Sequence, residues 1–141
     1  MYYMKISMCL FALVLIGFTV GCGNGNVKVN GKVVFSDDNS PVTVGTICFE
    51  SGNTASRGNI KEDGTFSVYS IKENDGIPPG EYKVYFLNTI KGEGNILAPT
   101  LIPQLHTKYQ KAATTDITMT IDKSTKSPLE IKVDRYEKGK R

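Results

Sequence analysis

Four groups of residues in this chain could do chemistry: its three cysteines, its one histidine, two acidic clusters and a set of tyrosines. Nucleophilic catalysis needs a serine or cysteine held beside a base. The only histidine, His106, stands in a long segment without periodicity. Cys48 lies within Thr46-Ile47-Cys48-Phe49, a strand-like run in which a free cysteine behaves as a small buried hydrophobe. An enzyme would need a cleft joining His106 to Cys48 or to a carboxylate, and no spacing in the chain indicates one. Asp37-Asp38-Asn39 and Glu73-Asn74-Asp75 offer oxygen ligands for calcium. Both clusters also have turn explanations, because Asp and Asn bond their own backbone there. No His/Cys cluster has the spacing of a zinc site. No catalytic residue, metal or cofactor is therefore expected. Tyr69, Tyr85 and Tyr109 could form a ligand face on the open side of a sheet, or could cover sheet edges.

Cys22 differs from the other two cysteines in what precedes it. Lys5 leads into an apolar run from Ile6 to Val20, and Thr19-Val20-Gly21 then brings small residues up to the cysteine. The run is shorter than the ~18–20 apolar residues that span a bilayer, and it fits the core of a secretory signal peptide. A cysteine at the exit resembles the lipobox of bacterial lipoproteins, with Thr19 standing where leucine is usual. That resemblance implies cleavage before Cys22, a diacylglycerol on its thiol, and a palmitate-like acyl chain on the new N-terminus where one is added. One acyl chain holds a protein only marginally at a bilayer, and two or three hold it firmly. Gly23-Asn24-Gly25-Asn26 reads as a short flexible tether. The expected organisation is a signal peptide at 1–21, a tether at 22–26, a domain at 27–135 and a basic tail at 136–141. The product would be exported and lipid-anchored at the cell membrane or outer membrane, on the periplasmic or cell-surface face.

Net charge is +3 over 141 residues, and +2 once residues 1–21 are set aside with Lys5 and no acid. Such balance gives no case for nucleic acid. The stretch from Arg135 to Arg141 carries four bases and reads as a solvated, frayed end. If Cys9 leaves with the signal and Cys22 is acylated, Cys48 has no partner. Packing must then hold the domain together.

Beyond the tether, apolar residues recur with period two. Val27, Val29, Val33 and Phe35 alternate with Lys28, Asn30 and Lys32, and Gly31 falls in the apolar phase. Further strands are expected over about Thr43–Glu50, with Ile47 and Phe49 inward, Ala55–Lys61, Phe66–Ile71, Tyr82–Phe86, Ile117–Ile121 and Leu129–Val133. Asp63-Gly64 predicts a tight hairpin between the third and fourth. Residues 88–107 hold Gly92, Gly94, Pro99 and Pro103 with no clear period, and loops of that length are functional or poorly ordered. About seven alternating strands separated by Gly/Pro/Asn/Asp turns point to an all-β, antiparallel Greek-key sandwich.

Val29-Asn30-Gly31-Lys32-Val33, Pro41-Val42, Gly45-Thr46-Ile47-Cys48-Phe49, Asp63-Gly64-Thr65-Phe66 and Pro79-Gly80-Glu81-Tyr82-Lys83-Val84 follow in order. Together they resemble the landmarks of carboxypeptidase regulatory-like domains, over nearly all of residues 27–135. Ile102-Pro103 through Tyr109 to Ile121 is similar to a later segment of small lipoproteins built on one such domain, with Thr114-Thr115 where Ser-Gly would be typical. The resemblance implies a transthyretin-like, Ig-like sandwich that binds or supports and carries no catalytic residues. Transthyretin-like hydrolases use several histidines and a Tyr-Arg-Gly-Ser ending, neither of which occurs here. Self-crosslinking sandwiches join a lysine to an asparagine, and Pro128–Asp134 contains none.

The leading expectation is a non-catalytic, membrane-anchored lipoprotein of the cell envelope. It would meet its membrane through Cys22 and an envelope protein or glycan through the 88–107 segment, with His106 and Tyr109 as the contact surface. The alternative is a carbohydrate- or small-ligand-binding module, which lacks the tryptophans that sugar sites favour.

Overall fold

A computed structural model of the chain describes residues 25–137. The signal segment, Cys22, most of the tether and residues 138–141 lie outside the described residues.

The alternating pattern becomes strands where it was expected. In order they are β1 Val29–Phe35, β2 Gly45–Ser51, β3 Thr54–Ile60, β4 Thr65–Val68, β5 Gly80–Leu87, β6 Ile90–Asn95, β7 Ala98–Pro103, β8 Thr118–Ile121 and β9 Leu129–Val133. A single 3-10 turn, Thr107–Gln110, separates β7 from β8. One sheet runs β4-β1-β9 and the other β3-β2-β5-β8, while β6 and β7 pair only with each other. The first two sheets close on a shared core, so the fold is an all-β sandwich. Each strand contributes its inward parity: Val29, Val33 and Phe35 from β1, Ile47 and Phe49 from β2, Tyr82, Val84 and Phe86 from β5, Ile131 and Val133 from β9. Full burial of each such side chain stabilises by about 1.5–3 kcal/mol. Phe49 and Tyr82 meet edge to face at 6.0 Å.

Three features depart from the sequence reading. First, β9 joins β1 in parallel, with Gly31 beside Leu129 and Phe35 beside Val133, so that sheet is mixed rather than antiparallel. Gly31 makes the pairing possible, because a Cβ there would run into the Leu129 carbonyl oxygen and the Phe66 ring. Second, Asp63-Gly64 turns the chain as expected, with Gly64 at φ 82° and the Asp63 carboxylate accepting from Thr65 N–H at 3.0 Å. The arms stay paired across this hairpin, Lys61 N–H donating to the Thr65 carbonyl at 2.9 Å and Arg57 and Tyr69 exchanging N–H bonds at 3.1 Å, although β3 and β4 belong to different sheets. Third, residues 88–107 are not an open loop: 90–103 form the β6–β7 ribbon, and Leu105 returns to the core.

The sandwich has two distinct ends. Val27 sits at one, bonded in both directions to Ile77 at 2.8 and 2.9 Å. β1 runs from there to Phe35, about 23 Å at ~3.3 Å per residue. The Phe35 end gathers Pro41 beside Val34, Tyr136 N–H donating to the Gln104 carbonyl, and Gln104 N–H donating to the Thr89 carbonyl. The ribbon leaves from Thr89 and returns at Gln104, so it springs from the end opposite Val27.

Candidate interaction surface

At the Phe35 end, Arg135 binds four groups supplied by the end of β1 and the turn after it. Its Nε donates to Asp37 Oδ2 at 2.7 Å, and its Nη2 donates to Asp38 Oδ2 at 2.7 Å and to Ser40 Oγ at 2.6 Å. The guanidinium also stacks 3.8 Å from the Phe35 ring centroid. Ser40 and then Arg135 hold the Asp38 carboxyl well below the usual carboxylate range. Arg135 is therefore a clasp between β9 and the β1 turn, not the first residue of a frayed tail. Neither acidic cluster is an open ligand set. Asp37 and Asp38 are engaged by Arg135, and the Asp75 carboxylate accepts from the N–H groups of Ser70, Ile71 and Lys72 at 3.0–3.1 Å.

Lys108 forms the adjoining cluster. Its Nζ lies 2.8 Å from Asp116 Oδ2 and 2.9 Å from Asp134 Oδ2, and 4.7 Å from the Tyr109 ring centroid. These two carboxylates raise the Lys108 pKa and hold the amine as an ammonium. Lys108 and the Ser36 hydroxyl, which donates to Asp134 Oδ1 at 2.7 Å, bring Asp134 down to about 2.

The two expected contact residues belong to this framework. His106 caps the 3-10 turn: its Nδ1 accepts from Lys108 N–H at 3.2 Å, and its own N–H donates to the Asp134 carbonyl at 3.0 Å. It borders a depression of about 410 Å³ together with Ser36, Asp37, Asp134 and Arg135. Tyr109 is not on the surface at all. The turn points it inward, where its ring meets Phe86 edge-on at 6.3 Å and its hydroxyl donates to Asp134 Oδ2 at 3.1 Å. Burial raises its pKa. Cys48 is mid-sheet, on the outer face of β2 between Arg57 of β3 and Tyr85 of β5. Its neighbours cover it to 4% exposure, and burial raises its thiol pKa. Burial first, then Cys48 and Glu50, push Tyr85 up to about 12. The Tyr109 hydroxyl is thus an ordered part of the fold.

What projects is the ribbon. All six residues of β6 and five of the six in β7 are exposed. Its turn, Ile96-Leu97, is 94% and 93% exposed, an apolar pair where turns usually carry Gly, Asn or Asp. Asn95 makes that turn possible by accepting Leu97 N–H on its side-chain oxygen at 2.9 Å. Cross-strand register puts Ile90, Gly92, Gly94, Pro99, Leu101 and Pro103 on one face, which carries no charge. Lys91 and Glu93 occupy the other. A cleft of about 270 Å³ separates the foot of the ribbon from Phe35, Gln104, Arg135 and Tyr136. Gln104 Nε2 is the one buried side-chain donor or acceptor atom without a partner among the described residues.

The chain matches no known protein family, no curated protein and no solved structure. No helix among the described residues is long and apolar enough to cross a membrane. The functional reading therefore rests on the residues and their arrangement.

Proposed function

We propose that this chain is an exported, non-catalytic lipoprotein of the cell envelope, anchored through Cys22, whose sandwich displays the β6–β7 ribbon to a partner. The apolar run before Cys22 and its small-residue exit support the anchor. The resemblance of its turn and strand motifs to those of carboxypeptidase regulatory-like domains, and a sandwich with one shared core, support the class of module. One observation carries the reading: the chain enters the sandwich at Val27 and the ribbon leaves from the other end. A domain tethered at Val27 therefore holds its exposed Ile96 and Leu97 away from the membrane that anchors it. Large exposed apolar groups on a projecting element are characteristic of contact sites. His106, Lys108 and Arg135 then support the ribbon's base rather than touch the partner.

Intact-mass measurement of membrane-extracted protein tests the anchor. The expected species begins at Cys22 and carries acyl mass, and Cys22→Ala accumulates as unprocessed precursor. Unacylated wild-type protein with residues 1–21 intact would overturn the reading.

A further inference from the structure

We propose that two copies of the chain pair through β6, antiparallel and centred on Gly92, joining their ribbons into one four-stranded sheet. The edges of the ribbon differ in a way that points to β6. Proline has no N–H to give a ladder, so Pro99 and Pro103 must turn their nitrogens away from β6. Leu101, of the same parity, turns with them. Two of the three outward positions on β7 thus cannot donate, which is how proteins block an edge. The register then makes Ile90, Gly92 and Gly94 the outward positions on β6, and all three retain their N–H groups. β7 is closed and β6 is open.

Charge selects both the occupant and the register. Outward residues must face outward residues, so a second β6 can shift only in two-residue steps. Centring on Gly92 sets Lys91 opposite the second copy's Glu93, and Glu93 opposite its Lys91. One step either way sets lysine against lysine or glutamate against glutamate, which is unfavourable for directly opposed pairs. In the favoured register up to six backbone hydrogen bonds form, and Ile90 falls opposite a glycine. The same alignment carries each copy's Ile96-Leu97 turn towards the foot of the other ribbon. There Leu87 is 41% exposed, and Thr43, Val44 and Ile90 line a depression of about 560 Å³. That placement sets the exposed turn beside Leu87, Val44 and Ile90, with Glu62 and Lys91 at the same depression. A two-stranded ribbon is marginal alone and gains from further strands. Pairing along one six-residue strand is a small contact, so it is weak in solution.

Charge exchange tests the pairing on purified full-length chain, independently of whether Cys22 is acylated. Sedimentation over a micromolar-to-millimolar series should show wild-type dimer. Lys91→Glu and Glu93→Lys should each dimerise roughly tenfold more weakly. An equimolar mixture of those two variants should regain dimer, because each strand then faces its opposite. Gly92→Pro, which removes the central N–H, should abolish dimer while leaving the circular dichroism spectrum unchanged. A monomeric wild type at all concentrations, a mixture no better than its components, or ribbon burial seen only with lipid vesicles would overturn the proposal.

Discussion

Arg135 and Asp134 tie the last strand to the end of β1 and the turn after it, nearly a hundred residues earlier in the chain. Both kinds of clasp are half exposed, so solvent screening limits what each stabilises. Asp134 is held at about 2 in the folded protein, below its ordinary unfolded value. Its contribution is therefore complete above pH ~4 and is lost as pH falls towards ~2. Urea titrations of wild type and Asp134→Asn should differ by about 1 kcal/mol at neutral pH after screening, and converge near pH 2. A difference that persists at pH 2 would contradict the assignment. Cys48 makes a second residue-scale expectation. Covered by its strand neighbours and raised in pKa, it should alkylate only as fast as the sandwich opens. Rapid labelling of the native protein, followed by mass spectrometry, would show the thiol to be accessible.

At the scale of elements, the strands that bury one face were legible because burial imposes the period-two pattern. Val29–Phe35, Gly80–Leu87 and Leu129–Val133 are of this kind. β6 and β7 were missed for the converse reason: with nearly every residue exposed, nothing requires alternation, and glycine and proline read as loop. The remaining signal was Asn95, a good first residue for a turn, beside the unturnlike Ile96-Leu97. Tyr109 was misplaced because a four-residue 3-10 turn leaves no period, yet it sets which way the ring points. The parallel β1–β9 pairing was invisible because pattern alone gives strands, not partners. Isolation of the ribbon has a measurable consequence. Replacing residues 90–103 by a short Gly-Ser linker should leave the melting temperature of the sandwich within ~4 °C of wild type. A collapse of cooperative unfolding would mean that the ribbon belongs to the core.

For the molecule as a whole, organisation follows from where the chain enters and where it projects. Val27 is fixed at one end by Ile77, and the Arg135 and Lys108 clusters brace the other, beneath the ribbon. Ser36 donates to Asp134, His106 accepts a backbone N–H, and Lys108 is held as a cation. On the proposed reading, tethering at one end and display at the other divide the labour, with binding given to β6, β7 and their turn. In the proposed arrangement, Cys22 carries the lipid that gives this polarity its meaning. Mass spectrometry of the N-terminal peptide from membrane-extracted protein tests it most directly. The expected peptide starts at Cys22 and bears a diacylglycerol on its thiol. A peptide that retains residues before Cys22, or one that starts there with a free thiol, would contradict the account.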